Sequence, residues 1–369
     1  MQRRSFLTTP ALAGLAAAAT TMPEDQRVVA WGDGVPLPPS SYAQLLERLS
    51  GGLQVDDYSN GGVIAQLEAK VAADLGKERA VWLPTGTLAN HLAMRLLAGD
   101  RRRVLVQQEC HLHNDCGDCC ETLSGLHMIG LAPGSATFTL EEAQRMAERG
   151  ASGRVAVPIG ALQIETPVRR KTGEAFDLAE MRKISQWAAS EKIGRHLDGA
   201  RLYLAAAYSG VAVKEYAALF DTVYVSMYKY FNAASGAVLA GPKALLDNLF
   251  HTRRMFGGGQ HQAWPFAAIA LHHFDGFPAR YAKAVAGSEQ VIAGLQADKR
   301  FEIRRVPNGT NIFFLRLPEA DAVAFRQRAN QAGVEFSAPR NGQFTVQVNE
   351  TWNRVEPRET LKRIQQARG

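Results

Sequence analysis

Lys229 has the residue type and the surroundings needed to bond covalently with a carbonyl compound. It follows the predicted strand 222–225 and lies between Tyr228 and Tyr230 in a segment of low charge. Such surroundings disfavour the ammonium form, lower the pKa of the amine and favour a Schiff base. A lysine between two tyrosines is also commonly a surface residue with its amine in solvent, so this residue alone leaves both interpretations open.

Asp198 is a carboxylate that needs a partner. It lies in the segment 196–201, His-Leu-Asp-Gly-Ala-Arg, at the end of a predicted strand and beside apolar residues. A buried carboxylate without a partner is costly. A protonated pyridine nitrogen is a suitable partner and would keep the ring an electron sink, whereas an ion pair with Arg201 is the structural alternative. In a parallel sheet Asp198 and Lys229 would lie at the same carboxyl edge, where ligands bind.

A third segment offers a place for a phosphate. Thr85, Gly86 and Thr87 follow the predicted strand 80–83 and open the predicted helix 88–98. Hydroxyl groups and free backbone N–H groups at a helix N-terminus suit an anion, although Thr-Gly-Thr is equally a good turn and helix cap. Together the amine, the carboxylate and the phosphate turn predict pyridoxal 5′-phosphate as the cofactor.

The elements that must position these residues alternate between short apolar runs and amphipathic helices. This alternation predicts an α/β fold, with a large domain built on a mostly parallel, doubly wound sheet. The pattern changes after about residue 285 and predicts a smaller C-terminal α+β domain. The predicted strands are 80–83, 104–106, 155–157, 162–164, 222–225, 237–240, 301–303, 311–315 and 344–348, and the main predicted helices are 63–75, 88–98, 178–189 and 321–332.

Four parts of the chain are expected. They are a signal with a short linker over 1–26, an N-terminal segment over 27–50, a large cofactor-binding domain over 51–262, and connecting helices with a small domain over 263–369. The paired residues Arg3 and Arg4 before Ser-Phe-Leu are typical of a twin-arginine signal, which predicts export to the periplasm or beyond. A disordered basic tail is the alternative for this segment.

Composition excludes some partners. The 369 residues carry a formal charge of +6, but basic residues are scattered among acids, so we do not expect a nucleic-acid binder. No apolar run is long enough for an ordinary transmembrane helix, so no membrane partner is expected once the signal is removed. Four cysteines, Cys110, Cys116, Cys119 and Cys120, lie close together. Buried small side chains are the favoured interpretation, ahead of a disulfide between Cys116 and Cys119, and ahead of a metal site, which we do not predict.

With these motifs the chain resembles the family of threonine aldolases and aromatic amino acid β-eliminating lyases. The resemblance covers roughly residues 30–350 and rests on four segments, which are 67–90, 196–201, 228–239 and 257–262. It implies the aspartate-aminotransferase-like fold of pyridoxal-phosphate enzymes, which is fold type I. The substrate would be a small molecule, an amino acid.

The resemblance also implies roles for particular residues. Lys229, Asp198 and His111 would be catalytic, with Lys229 bound to the cofactor, Asp198 at the ring nitrogen and His111 stacked on the ring. The segment 257–262 would approach the cofactor of a neighbouring subunit, which implies a homodimer or a homotetramer. The implied cofactor-binding residues are Thr85, Gly86, Thr87, His111, Asp198, Ser226, Lys229 and His261, and the implied substrate-binding residues are Arg201, Glu165 and Arg340.

The chain departs from the family pattern where the substrate would bind. Glu165 is followed by Thr-Pro-Val where the family commonly has Asn-Thr-His, so a histidine expected near the substrate hydroxyl is missing. The segment 32–34 is Gly-Asp-Gly where Ser-Asp-Thr is usual. Gln343 stands where a second carboxylate-binding arginine is expected, although Arg340 is close by. The residue types that cofactor chemistry needs are therefore present, and those for substrate recognition are changed.

The expected reaction is cleavage of the Cα–Cβ bond of a β-hydroxy amino acid, giving glycine and an aldehyde. His113, Glu165 or a water molecule would take the proton of the β-hydroxyl group. Weak activity on threonine is expected because of the lost histidine and serine. The alternatives are a β-eliminating lyase or racemase acting on another amino acid, and an exported relative that binds the cofactor without catalysis.

Overall fold

The computed structural model describes residues 22–369. The paired arginines of the predicted signal lie outside these residues, and export stays a prediction. In the described part the strands are β1 (Val28–Val29), β2 (Arg79–Leu83), β3 (Arg103–Gln107), β4 (His127–Leu131), β5 (Ile159–Glu165), β6 (Gly194–Asp198), β7 (Thr222–Ser226), β8 (Ala237–Gly241), β9 (Glu302–Arg305), β10 (Ile312–Arg316), β11 (Val334–Glu335) and β12 (Gln343–Gln347).

Helices separate most of these strands. Short 3₁₀ helices also occur at Glu24–Gln26, Arg169–Lys171 and Glu350–Asn353. The α-helices are α1 (Pro39–Ser50), α2 (Gly62–Leu75), α3 (Gly86–Ala98), α4 (His111–Asn114), α5 (Cys119–Ser124), α6 (Leu140–Ala151), α7 (Leu178–Ser190), α8 (Leu202–Ser209), α9 (Val213–Ala218), α10 (Lys243–Leu246), α11 (Leu249–Met255), α12 (Trp264–Phe274), α13 (Phe277–Ala297), α14 (Glu319–Gln331) and α15 (Pro357–Arg368).

The large sheet has seven strands in the order β2-β8-β7-β6-β5-β3-β4. β3 to β7 run parallel, and β8 is antiparallel to both of its neighbours. Every residue of β5, β7 and β8 is buried, as expected for a sheet covered by helices on both faces. The predicted mostly parallel, doubly wound sheet is confirmed.

One strand prediction was wrong, and one edge strand of the large sheet was missed. The run 155–157 is not a strand, and Val155 is 78% exposed in the connection that follows α6. The real strand, β5, begins at Ile159 and contains the predicted run 162–164. β4 was not predicted, because its edge position leaves His127 exposed and breaks its apolar pattern.

A smaller unit follows the long helix α13. Its antiparallel sheet has the order β12-β10-β9, and each strand lies within one or two residues of its predicted bounds. β1 pairs in parallel with β11, so the N-terminal segment is joined to this unit rather than standing apart. The predicted small α+β domain is present, and the exact domain boundaries stay a prediction. Within residues 22–369, no helix has the length and apolar character needed to cross a membrane.

Candidate active site

A cavity of about 230 Å³ opens at the carboxyl ends of β5, β6 and β7. The parallel pairing of β6 with β7 brings Asp198 and the segment after Ser226 to the same edge of the sheet. Lys229 and Asp198 both line this cavity, so the amine and the carboxylate can contact one ring. The remaining lining residues are Gly86, Thr87, Asn90, His111, Glu165, Arg169, Ala200, Arg201, Tyr224 and Tyr228.

Asp198 is a buried carboxylate whose hydrogen-bond donors are neutral. It is the last residue of β6 and is 2% exposed. Its Oδ2 accepts a hydrogen bond of 2.6 Å from Asn90 Nδ2, and its Oδ1 accepts one of 3.0 Å from the N–H of Ala200. The alternative ion pair with Arg201 is not formed, because the Arg201 guanidinium binds Asp33 instead. The carboxylate is therefore left with a negative charge that a cationic ring nitrogen would balance.

Asn90 and His196 hold Asp198 through a chain of buried hydrogen bonds. Asn90 Oδ1 lies 2.8 Å from His196 Nε2, and His196 Nδ1 lies 2.8 Å from Thr222 Oγ1. Burial lowers the pKa of His196 to about 3, so its ring is neutral. Since Asn90 donates its amide to the carboxylate, its oxygen must accept from His196 Nε2–H, and His196 Nδ1 must accept from Thr222. Sequence reasoning assigned no role to Asn90, which ends the segment 67–90 that carries part of the family resemblance.

We expect Asn90→Ala to lower kcat by about 10- to 100-fold while most of the protein still binds cofactor. The change removes a charge-assisted hydrogen bond worth about 1.5–3 kcal/mol and lets the carboxylate rotate away from the ring nitrogen. Steady-state kinetics and the cofactor content of the purified variant test this. Asn353→Ala, at a half-buried asparagine far from the cavity lining whose amide donates to a backbone carbonyl, is the matched control. A normal kcat in Asn90→Ala would show that Asp198 needs no such support.

Lys229 directs its amine into the cavity rather than into solvent. The residue follows β7 by three positions, and its Nζ donates to Tyr228 Oη at 3.2 Å and to Ser226 Oγ at 3.4 Å. The Tyr228 ring also lies below the amine, 4.3 Å from Nζ to the ring centroid. Burial first, and then the charge of Arg201, lower the pKa of Lys229. A larger neutral fraction makes the amine a better nucleophile, which favours the chemical interpretation over a surface lysine.

The predicted phosphate turn begins helix α3. Thr85 is the N-cap, and its Oγ1 accepts a hydrogen bond of 3.2 Å from the N–H of Leu88. The N–H groups of Gly86 and Thr87 have no acceptor within the helix and lie at the cavity. A Cβ at Gly86 would lie 2.0 Å from the Tyr224 hydroxyl, so only glycine fits there. Thr85 itself caps the helix and does not line the cavity.

Glu165 is a buried carboxyl group at the end of β5. Its Oε2 accepts a hydrogen bond of 2.6 Å from the N–H of His111, and its Oε1 accepts one of 2.9 Å from the N–H of Arg169. Burial first, and then the charge of Asp198, raise the pKa of Glu165 to about 7. A carboxyl group with this pKa exchanges protons near neutral pH, as a general base requires.

His111 and Arg201 lie on other sides of the same cavity. His111 Nδ1 lies 3.2 Å from Cys116 Sγ, and this hydrogen bond, opposed by burial, raises the pKa of His111. The Nε of Arg201 donates to Asp33 Oδ2 at 2.8 Å, which orients the guanidinium and leaves its terminal NH groups for a ligand. Asp33, the middle residue of the altered segment 32–34, therefore positions Arg201.

Besides Thr85, four predicted residues do not line the cavity of their own chain. Ser226 lies behind it and accepts a hydrogen bond from Lys229. His261 is exposed and packs edge-on against Tyr58, with ring centroids 5.3 Å apart. Its expected role at a neighbouring subunit's cofactor stays a prediction. Arg340 is exposed, and its backbone pairs with Gln343 outside the cavity lining. His113, one of the candidate bases, also lies outside the lining, and this favours Glu165 as the base.

The cysteine cluster packs beside the cavity. All four cysteines are free, and Cys110, Cys119 and Cys120 are buried in an apolar cluster against α3 and β3. Cys116 contacts His111 and lies 3.5 Å from Thr87 Oγ1. Among residues 22–369, no three His, Cys, Asp or Glu side chains are grouped so that they could hold a metal ion. The free thiols agree with the favoured interpretation of buried small side chains.

The residues present fit pyridoxal 5′-phosphate. Among the described residues the buried Asp198 forms no ion pair, the Lys229 amine lies in the same cavity, and the first two N–H groups of α3 have no acceptor within the helix. These groups match the ring nitrogen, the aldehyde and the phosphate of that cofactor, respectively. The fold and the site define a pyridoxal-phosphate protein of fold type I.

Comparison with known proteins gives the family. The model of the beta-eliminating lyase family matches residues 44–318. The chain is 28% identical over 221 residues to the low-specificity L-threonine aldolase of Candida albicans, a match that covers 59% of this chain and 58% of that relative. It is 31% identical over 208 residues to the alanine racemase TOXG of Cochliobolus carbonum, covering 56% and 52% of the two chains. The chain belongs to the beta-eliminating lyase family.

A solved structure supports the same assignment. A Listeria monocytogenes protein, provisionally named an L-allo-threonine aldolase, superposes with a TM-score of 0.77 at 25% identity, covering 93% of this chain and 96% of that one. The sequence matches span just over half the length of the two curated relatives above. The fold and the cofactor are therefore those of the family, and the reaction must be argued from the site.

Proposed function

We propose that this protein is a lyase that cleaves the Cα–Cβ bond of a β-hydroxy amino acid and gives glycine and an aldehyde. The observation that carries the proposal is a single cavity that combines Lys229, Asp198, Arg201 and a carboxyl group, Glu165, with a pKa of about 7. The similarity to low-specificity threonine aldolases supports the same reaction type.

Each of the four side chains has a place in this reaction. Bound pyridoxal phosphate supplies an electron sink for the pair of electrons left on Cα. Lys229 holds the cofactor, and Asp198 keeps the ring nitrogen protonated. Arg201 binds the α-carboxylate through the NH groups that Asp33 leaves free. Glu165 takes the proton of the β-hydroxyl group, the Cα–Cβ bond breaks, the aldehyde leaves, and Cα gains a proton to give glycine.

A substrate panel with product identification tests the proposal. The cofactor-loaded protein is incubated with threonine, allo-threonine, phenylserine and other β-hydroxy amino acids, and glycine and aldehyde are measured together. Equal amounts of the two products support the proposal, and we expect threonine to be a weak substrate. Ammonia with an oxo acid would identify a β-eliminating lyase, and inversion at Cα of alanine would identify a racemase, the activity in the name of one relative.

We expect kcat/KM to rise with pH to an inflection at or somewhat below pH 7. Glu165 acts as a base only when it is deprotonated, so activity is low below its pKa and levels off above it. A ring nitrogen bound to Asp198 cancels part of the negative charge that raises this pKa, but burial, the larger cause, remains. A profile measured from pH 5 to 9 with a good substrate tests this.

Glu165→Gln provides the control for that profile. The amide cannot take a proton, so activity falls by about 100-fold or more and the inflection disappears. An unchanged inflection in the Glu165→Gln protein would assign the titration to another group and would remove Glu165 as the base.

A further inference from the structure

Arg169 is an exposed cation at the edge of the cavity, and its guanidinium has no hydrogen-bond or ion-pair partner among the residues that the structure describes. Its backbone N–H donates to Glu165 Oε1 at 2.9 Å, so the backbone of Arg169 contacts the proposed base. Sequence reasoning missed Arg169, which lies four positions after Glu165 in the segment that departs from the family pattern.

The two basic residues that follow Arg169 are both engaged elsewhere. Arg170 makes two hydrogen bonds to Asp115, at 2.8 and 3.2 Å. Lys171 Nζ donates to the carbonyl of Gly134 at 2.6 Å. These contacts anchor the short helix Arg169–Lys171 from outside the cavity. Arg169 adds only a weak charge effect to the lowered pKa of Asp115, which the hydrogen bond from Arg170 dominates.

Arg169 is left without a counter-ion when the charged side chains of the cavity are paired with their partners. Arg201 already has Asp33 as its counter-ion and uses its remaining NH groups for an α-carboxylate. Lys229 and Asp198 would both be engaged by the cofactor, and its phosphate would lie at the N–H groups that begin α3. Glu165 points its oxygens at two backbone N–H groups. An unpaired guanidinium at the edge of a cavity is available to bind an anion that the ligand carries.

We propose that Arg169 forms a subsite for a second carboxylate, carried on the side chain of the substrate. This inference rests on the proposed function and narrows it to β-hydroxy amino acids with an acidic side chain, of which 3-hydroxyaspartate is the smallest. Glu165 removes the proton from the 3-hydroxyl group, C3 becomes the aldehyde carbon of glyoxylate, and the electrons of the broken Cα–Cβ bond stay on Cα. Protonation of Cα gives glycine, so one 3-hydroxyaspartate yields one glycine and one glyoxylate.

The test compares two substrates of nearly the same shape, 3-hydroxyaspartate and 3-hydroxyasparagine, which differ in the charge of the side chain. We expect kcat/KM to be about 10- to 100-fold higher for the acid, because one charge-assisted hydrogen bond contributes a difference of this size. Arg169→Gln lowers the acid-to-amide ratio at least about tenfold. Arg145→Gln, at an exposed arginine of α6 with only a long 3.9 Å contact to Glu141, is the matched control and keeps the ratio.

A binding measurement gives a readout that does not depend on turnover. Aspartate and asparagine lack the hydroxyl group, and their binding is followed by the change that they cause in the absorbance of the bound cofactor. We expect aspartate to bind more tightly than asparagine. Arg169→Gln removes this preference, and added salt weakens it. An equal loss for both ligands in Arg169→Gln would place the α-carboxylate on Arg169 and would overturn the proposed subsite.

The two proposals fail in different ways. Cleavage of both 3-hydroxy substrates at equal rates would overturn the acidic subsite and leave the lyase reaction standing. Arg169-dependent preference for aspartate without cleavage of any β-hydroxy amino acid would support the subsite and overturn the lyase reaction.

Discussion

Lys229→Ala is expected to abolish the visible absorbance of the bound cofactor and to lower turnover by about a thousandfold or more, which is an increase of about 4 kcal/mol in barrier height. The substitution removes the amine that holds the cofactor covalently in the cavity. Absorbance spectra of the purified variant and single-turnover assays with added pyridoxal phosphate measure both effects.

The structure indicates that this variant will fold. The Lys229 amine contacts only Ser226 and the exposed Tyr228, and its hydrogen bonds of 3.2 and 3.4 Å are long. The buried Ser226 hydroxyl loses one long hydrogen bond but keeps its hydrogen bond with Tyr224, so the loss of stability is small. Lys243→Ala, at an exposed lysine of α10, is the control and keeps the spectrum. A wild-type spectrum in Lys229→Ala would refute the assignment of this lysine.

The parts of the site that lie at strand ends were predictable from sequence. Asp198 ends β6 and Lys229 follows β7, and both positions follow from short apolar runs whose carboxyl ends meet in a parallel sheet. The same pattern predicted the sheet itself. It failed at Val155, because a short β-branched run next to a helix end resembles a strand whether or not a neighbour pairs with it.

The partners of the site residues were not predictable from local pattern. Asn90 and Asp198 are 108 positions apart, and Asp33 and Arg201 are 168 positions apart. No periodicity within one segment reports a contact across such a separation. Arg169 was missed for a related reason, since it belongs to a run of three basic residues in which only the fold distinguishes the one at the cavity from the two bound outside.

The second large effect is expected for Asp198→Asn, which should retain cofactor on Lys229 and yet lose about 100- to 10,000-fold in kcat. Breaking a buried charge pair by removing one partner costs about 3–5 kcal/mol, and here the pair is the carboxylate with the ring nitrogen. Without the negative charge the ring nitrogen loses its proton, and the electron sink weakens. Asp74→Asn, at an exposed carboxylate bound by the Tyr203 hydroxyl, is the matched control.

An asparagine amide is a poor replacement for the Asp198 carboxylate. The effect of Asp198→Asn on stability must therefore be measured separately from its effect on catalysis. Both carboxylate oxygens accept hydrogen bonds, from Asn90 and from Ala200, so the new NH₂ group must face a donor in either orientation. We therefore expect a loss of about 1–3 kcal/mol in the free energy of unfolding as well, measured by urea denaturation. The absorbance band of the lysine-bound cofactor remains, in contrast to Lys229→Ala, because the covalent bond does not involve Asp198. A kcat within about threefold of wild type would mean that the ring nitrogen is not held by this carboxylate, and the reaction proposed from the shared cavity would then lose its electron sink.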